Sequence, residues 1–158
     1  MSKATSSDWL YNMLTVDMLE KGGKAVCVTT TGSTWNMIDE PIRKYFVENG
    51  LVETVVSLPA KLFDTLGVAT SIIVFSHGNK GVRLVDASEM YVQGRRLNVI
   101  SEEDIDKILD STEADSEISC YVSIEELRNN NYVLNSKRYL GISENIENGA
   151  EFGSVINL

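Results

Sequence analysis

The chain has 158 residues, of which 43% are hydrophobic, enough for one domain that buries roughly 70% of the surface its unfolded chain exposes. Its net charge of −9 is opposite in sign to that of a typical free-standing DNA-binding module. If nucleic acid is a partner, this chain is therefore not expected to supply most of the phosphate contacts. No apolar run reaches the ~20 residues of a membrane span, and the N-terminus lacks the apolar region of a signal peptide. The dispersed Cys27, Cys120 and His77 make no metal site. We predict a cytoplasmic, non-metal protein.

The first predicted element is a helix over residues 8–21. Ser7 or Asp8 is the expected N-cap, because either side chain can accept from the free N–H groups of the first turn. Gly22-Gly23 is the expected end, since glycine readily adopts the left-handed conformation that closes helices. The stripe facing the core is expected to centre on three apolar residues spaced by four, Leu10, Leu14 and Met18. Trp9, Met13 and Val16 are expected to widen it.

Four apolar, β-branched runs predict strands, and a second helix is predicted over 38–48 with Pro41 in its first turn. Strands linked by helices indicate a parallel α/β sheet, and the two strands around a long loop indicate an antiparallel strand at one side. The run AVCV lacks alternation, which favours a strand covered on both faces. The predicted strands are 24–31, 51–58, 70–76 and 82–88.

The loop between the second and third strands, PAKLFDTLGVAT, is too long for a tight hairpin and too apolar for a solvated loop. Such a loop either plugs a core or faces a ligand. It leaves the carboxyl end of its strand, which is where open α/β sheets bind ligands. Its apolar residues are Leu62, Phe63, Leu66 and Val68.

After Glu89 the sequence becomes polar and irregular. Two capping boxes predict short helices, Ser101 with Asp104 and Ser123 with Glu126. The acidic segment 112–119 between them is expected to be a solvated linker.

The order of these segments resembles the second half of the adenine-specific DNA methyltransferase fold, and most of all the modification subunit of type I restriction–modification systems. The resemblance covers residues 8–140 and is carried by SLPAKLFDTLGVATSIIVF, GRRLNVISEEDI and LNSKRY. It implies the C-terminal half of a Rossmann-like methyltransferase sheet, with parallel strands plus an antiparallel strand, followed by small helical segments. The implied division is an added start or linker (1–7), a partial α/β domain (8–90), a helical extension (91–140) and a weakly ordered tail (141–158).

The resemblance also implies transfer of a methyl group from S-adenosylmethionine to the N6 amine of adenine. In that family an Asn-Pro-Pro-aromatic motif holds the flipped base, and a glycine-rich turn holds the cofactor. This sequence has neither, since Pro41 and Pro59 are its only prolines and no G-x-G occurs. We therefore expect a C-terminal fragment that is inactive alone, with no catalytic residue or cofactor of its own, S-adenosylmethionine belonging to the intact subunit.

By position in the family, Phe63 is the candidate to contact the extruded adenine, with Trp35 and Asn36 as second candidates for the same target-base pocket. Alternatively, Phe63 covers the end of the core together with Leu62, and Trp35 packs on the following helix.

Arg95 and Arg96 are the candidates for contact with the DNA backbone. Alternatively, they pair with the acidic run just downstream, Glu102, Glu103 and Asp104.

The implied partners are DNA and the specificity and restriction subunits of the intact complex. A competing hypothesis is a non-catalytic interaction module derived from the same fold, for which a natural start near Met1 and a self-contained sheet are expected. The isolated fragment is instead expected to leave an edge of strand 24–31 unpaired, and to form a homo-oligomer through that edge or cover it with residues 1–20. A complete small enzyme using Asp64 or Asp86 as acid or base is disfavoured, because neither has a partner group at useful spacing.

Overall fold

The computed structural model describes residues 6–63 and 67–141, and their strands form one five-stranded mixed sheet in the order β1-β3-β2-β4-β5. Helices α1, α2 and α4 pack on one face of this sheet, and α3 covers part of the other. The elements in chain order are α1 (Ser7–Asp17), β1 (Ala25–Thr30), a 3-10 turn (Thr31–Thr34), α2 (Glu40–Glu48), β2 (Val52–Ser57), β3 (Thr70–Phe75), β4 (Gly81–Asp86), α3 (Glu102–Glu113), β5 (Ser119–Ser123), α4 (Ile124–Asn129) and a second 3-10 turn (Ser136–Arg138).

Strands β1, β2 and β4 run in one direction, and β3 and β5 run against them. The mixed sheet confirms the predicted fold class, but the position predicted for the antiparallel strand is wrong. β3 lies between β1 and β2, because β2 and β3 are consecutive strands without a helix between them and pair as neighbours. β5 was not predicted at all, and it joins the residues after position 90 to the same sheet as those before it.

Helix α1 buries one side of the predicted stripe and not its central row. Trp9 is fully buried and Val16 packs against the core, whereas Leu10, Leu14 and Met18 are 51%, 58% and 78% exposed. Trp9 packs edge-on against Phe46 with ring centroids 5.0 Å apart. The indole ring offers more apolar surface than any other residue of the stripe, so its contact sets the rotation of the helix.

The ends of α1 also differ from the prediction. The N-cap is Ser6, whose side chain makes no capping hydrogen bond, and the helix ends at Asp17, before the two glycines. Asp8 instead accepts hydrogen bonds from the backbone N–H (3.0 Å) and the hydroxyl (2.6 Å) of Thr30. The start of α1 is thereby tied to the end of β1. Later in the chain, Ser101 and Ser123 are confirmed as N-caps, since their hydroxyls accept from the N–H groups of Asp104 and Glu126. The reciprocal bonds of a capping box, from the N-cap N–H to the side chains of Asp104 and Glu126, are not present among these residues.

The main core lies between the sheet and helices α1, α2 and α4, with Phe46, Ile73 and Phe75 at its centre. The opposite face is covered by α3 only above β2 and β4. On β1, Val26 and Val28 are 66% and 55% exposed. The prediction that this strand is covered on both faces therefore fails for the described part of the chain.

Helices α2 and α4 are joined by an ion pair at the surface. Arg128 donates two 2.9 Å hydrogen bonds to the Glu48 carboxylate, and the Tyr132 hydroxyl donates a third of 2.6 Å. The hydrogen bonds from Arg128 are the main cause, and that from Tyr132 the second, of a Glu48 pKa lowered from 4.5 to about 2.

We expect this contact to make the fold sensitive to acid. A carboxylate whose pKa is lowered by folding stabilises the native state above its unfolded pKa, and this contribution is lost as the pH falls from about 4.5 towards 2. Urea unfolding of the chain and of Glu48→Gln, measured at intervals across this range, should show a shallower pH dependence for the variant. An equal pH dependence of the free energy of unfolding in the two proteins would contradict this role of Glu48.

Candidate functional site

Three loops gather at one edge of the sheet, because β1, β2 and β4 are parallel and end there together. The loops are residues 31–39 after β1, 58–69 after β2 and 87–101 after β4. Backbone hydrogen bonds anchor them to neighbouring strands, including Thr31 N–H to Ala69 C=O and Ala87 N–H to Ser57 C=O, both 2.9 Å. This is the edge at which open α/β sheets bind their ligands.

The loop after β2 divides its apolar residues between core and surface. Leu62 is half-buried against the smaller core under α3, which includes Val56 and Leu58. Phe63, the next residue, is 65% exposed. The two alternatives for this loop therefore apply to different residues, since Leu62 covers the end of the core while Phe63 faces outward. Leu66 and Asp64 lie outside the described residues.

Trp35 and Asn36 follow the 3-10 turn at the end of β1. Trp35 is 53% exposed rather than buried against α2. Asn36 is engaged with the backbone and side chain of Asp39, donating to its carboxylate at 2.6 Å and accepting from its N–H at 2.7 Å. The indole ring of Trp35 is thus accessible to solvent at this edge, whereas the side-chain amide of Asn36 is hydrogen-bonded to Asp39, the N-cap of α2. The assignment of both to a base pocket stays a prediction.

Arg95 and Arg96 lie exposed in a tight turn after β4. The turn is closed by paired backbone hydrogen bonds between Val92 and Val99, of 2.7 and 3.0 Å. A Cβ atom at Gly94 would lie 2.0 Å from the carbonyl oxygen of Leu97, so only glycine fits there.

The alternative pairing of these arginines with the acidic run is not present among the described residues. Glu103 instead pairs with Lys107 at 3.1 Å, and Asp104 accepts from the hydroxyl of Ser101 at 2.7 Å.

Asn98 links the loop after β2 to the loop after β4. Its N–H donates to the carbonyl of Lys61 at 2.8 Å, and its side-chain amide donates to the carbonyl of Ala60 at 2.9 Å. Lys61 has a φ of 60°, a left-handed conformation that a non-glycine residue adopts only where its surroundings hold it. Between the loops lies a cavity of about 300 Å³, lined by Ala60, Lys61, Tyr91, Gln93, Gly94, Arg95, Arg96 and Asn98.

The sequence reasoning missed Lys61 and Asn98. Lys61 had a detectable signal, as the single cation in an otherwise apolar loop. Asn98 had none, because its contact is with residues 38 positions earlier.

Cations line this cavity, whereas a dinucleotide-type site uses a glycine-rich turn and an acidic residue on the ribose hydroxyls. Asp86, the acidic residue at the end of β4, accepts from the N–H of Ser88 at 3.0 Å and serves a turn. No group of three His, Cys, Asp or Glu residues that could hold a metal occurs in ranges 6–63 and 67–141, and none of their helices is long and apolar enough to span a bilayer.

A mixed sheet with its long loops gathered at one edge is an α/β architecture of the open-sheet class, in which ligands commonly bind at that edge. The model of the N-6 DNA Methylase family matches residues 1–148, and the chain belongs to this family. It is similar to the type I restriction enzyme MjaVIII methylase subunit of Methanocaldococcus jannaschii, with 33% identity over 95% of this chain and 28% of that subunit. It is also similar to the HindI methylase subunit of Haemophilus influenzae, with 30% identity over 91% of this chain and 35% of that subunit.

Solved structures show the same likeness. The type I restriction-modification methyltransferase subunit from Streptococcus thermophilus superimposes with a TM-score of 0.79 and 26% identity, over 85% of this chain and 30% of that one. The chain thus spans about a third or less of the length of these relatives. The family and the fold expected from the sequence are confirmed.

Proposed function

We propose that the chain forms part of the methyltransferase subunit of a type I restriction–modification system, which transfers a methyl group from S-adenosylmethionine to adenine N6. The observation that carries the proposal is the exposure of Phe63 and Trp35 at the ligand-binding edge of the sheet. The identity of over 30% to curated methylase subunits supports the reaction class.

In this proposal the chain supplies one wall of the target-base pocket. Phe63 stacks on the extruded adenine, and Trp35 lies across the mouth of the same pocket. Base–aromatic stacking contributes about 1–3 kcal/mol per base, which helps offset the free-energy cost of unstacking the adenine from the duplex. Arg95 and Arg96 contact the DNA backbone. The cofactor and the groups that accept from the adenine amine lie in other parts of the subunit.

Replacing Phe63 by alanine in the complete subunit tests the proposal. With the specificity subunit and duplex DNA present, kcat/KM for methyl transfer should fall about 10- to 100-fold, the effect of losing one stacked base. Phe63→Tyr should retain most of the activity because it keeps the ring.

Tyr45→Ala is the matched control, since Tyr45 is an exposed aromatic residue on α2, away from this edge. Equal kcat/KM for Phe63→Ala and Tyr45→Ala would contradict the role of Phe63, and absence of methyl transfer by the unmodified complex would contradict the proposed function itself.

The partners in this proposal are DNA and the specificity and restriction subunits. The net charge of −9 fits a chain that leaves sequence reading and most phosphate contacts to another subunit. Sequence specificity would then reside in the specificity subunit and methyl transfer in the methyltransferase subunit.

A second candidate, a binding module, is favoured by the outer edge of β1. β1 ends the sheet order, and no described strand pairs with its outer side. Its exposed Val26 and Val28 add apolar surface at that edge. Unpaired apolar strands recruit partners. We infer that another strand of the subunit pairs here, and that the chain alone pairs with a second copy.

Sedimentation of the 158-residue chain should therefore show a dimer, and Val28→Lys should return it to a monomer. Leu109→Lys, a similarly exposed position on α3, is the control and should leave the dimer intact. A monomeric chain whose β1 amides exchange rapidly would contradict pairing through this edge.

A further inference from the structure

We propose that the cavity between the loops after β2 and β4 binds a backbone phosphate of a single-stranded nucleic acid segment, with Lys61 as its central cation beside Arg95 and Arg96. This inference rests on the proposed function, because the strand concerned is the one that carries the extruded adenine. It adds Lys61 to the phosphate contacts and assigns Asn98 as the residue that positions the site.

The charge distribution supports an anion as the ligand. Most cationic side chains of the described residues already have partners, such as Lys24 with Glu53 and Arg128 with Glu48. Within the described ranges, the side chains of five cations make no ion pair, hydrogen bond or ring contact. Three of these five line the cavity between the loops after β2 and β4, in a chain with a net charge of −9. The five are Lys21, Lys61, Lys80, Arg95 and Arg96.

The backbone around the cavity is fixed before any ligand binds. Asn98 holds the carbonyls of Lys61 and Ala60 at 2.8 and 2.9 Å, which sets the unusual φ of Lys61. On the other side, the Gly94 turn fixes the segment that carries both arginines. Cations on a preorganised frame lose less conformational entropy on binding than cations on free loops.

The neighbouring side chains point to a nucleic acid strand rather than a free anion. Phe63 lies two residues from Lys61 and is 65% exposed, and Tyr91 lines the cavity and is 40% exposed. Cations that track the backbone, combined with aromatic rings on which bases stack, are typical of sites for single-stranded nucleic acids. The cavity is therefore expected to prefer a single strand over a duplex, in which the bases stay stacked inside.

The test measures binding of the 158-residue chain to a short fluorescein-labelled single-stranded DNA by fluorescence anisotropy, at several salt concentrations. Lys61→Gln, Arg95→Gln and Arg96→Gln should each weaken binding about fivefold, and each should reduce the log–log salt slope by about 0.7. Asn98→Ala should weaken binding without removing a charge. Because Lys61, Arg95 and Arg96 are exposed, their substitution should change thermal unfolding little.

Lys21→Gln and Lys80→Gln are the matched controls. Both lysines are exposed and lack a described partner, and they lie just before β1 and β4, at the opposite edge of the sheet. They remove the same charge from the same chain and should change the affinity less than twofold.

Equal effects of the cavity and control variants, or no saturable binding at low salt, would overturn the phosphate site. Failure of the site and failure of the proposed function give different results. If Phe63→Ala impairs methyl transfer but the cavity variants match the controls, only the phosphate site is wrong. If the cavity variants weaken DNA binding but the complete subunit transfers no methyl group, only the proposed reaction is wrong.

Discussion

Replacing Arg43 by methionine is expected to lower the free energy of unfolding by about 3–5 kcal/mol, the usual effect of removing one member of a buried charged network. Arg43 is 1% exposed, and it donates from Nε to the carbonyl of Tyr132 at 2.9 Å and from Nη1 to that of Ser33 at 3.1 Å. Methionine fills similar space but donates no hydrogen bond, so these carbonyls lose a buried donor. The guanidinium stays charged at neutral pH, since burial lowers its pKa only to about 10.

Urea denaturation of the chain and of Arg43→Met measures this effect. Arg138→Met is the matched control, because Arg138 is exposed and donates to the side chain of Asn130 at 2.9 Å. Its loss should cost less than about 1 kcal/mol. Similar urea midpoints and m-values for Arg43→Met and Arg138→Met would show that the hydrogen bonds from Arg43 to the Ser33 and Tyr132 carbonyls add little to stability.

Trp9→Ala is expected to destabilise the fold by about 3–5 kcal/mol, as large-to-small changes of buried aromatic residues do. The ring is fully buried against Phe46, and its Nε1 donates to the carbonyl of Ser33 at 3.0 Å. Trp9→Phe keeps most of the apolar contact but loses the hydrogen bond, so it should cost about 1–2 kcal/mol. Leu10→Ala, at a position 51% exposed, should change stability by less than about 1 kcal/mol.

These variants also discriminate between the predicted central row of the α1 stripe and the side that carries Trp9. If Leu10→Ala costs as much as Trp9→Ala in thermal or urea unfolding, the central row is buried as predicted. Because Trp9 and Arg43 donate to the same carbonyl of Ser33, Trp9→Phe and Arg43→Met should also be non-additive when combined.

Patterns that depend on neighbouring residues were read correctly from the sequence. The β-branched runs of β2 and β3 and the helix N-caps at Ser101 and Ser123 are local signals, and the structure confirms them. The rotation of α1 was missed because it depends on the distant partners of Trp9. β5 was missed because it is five residues long and its burial comes from pairing with β4.

The candidate site shows the same limit. The resemblance to the family selected Phe63, position after a strand selected Trp35, and the structure leaves both exposed at one edge. The sequence could not show that Leu62 is half-buried and Phe63 exposed, because this difference depends on the core beneath the loop. The cavity joins loops that are far apart in the sequence, so Lys61 and Asn98 become neighbours only after the sheet has formed.

The central position of β3 has a consequence for the order of folding. β1 and β2 are connected through α2, yet each is hydrogen-bonded to β3 and not to the other. Among the described strands, β1 therefore has no hydrogen-bonded partner until β3, which comes after both in the chain, has inserted between them. Such non-local pairing is slow compared with local contacts. In native-state hydrogen exchange of the 158-residue chain, the amides of β1 should open no later than those of β3.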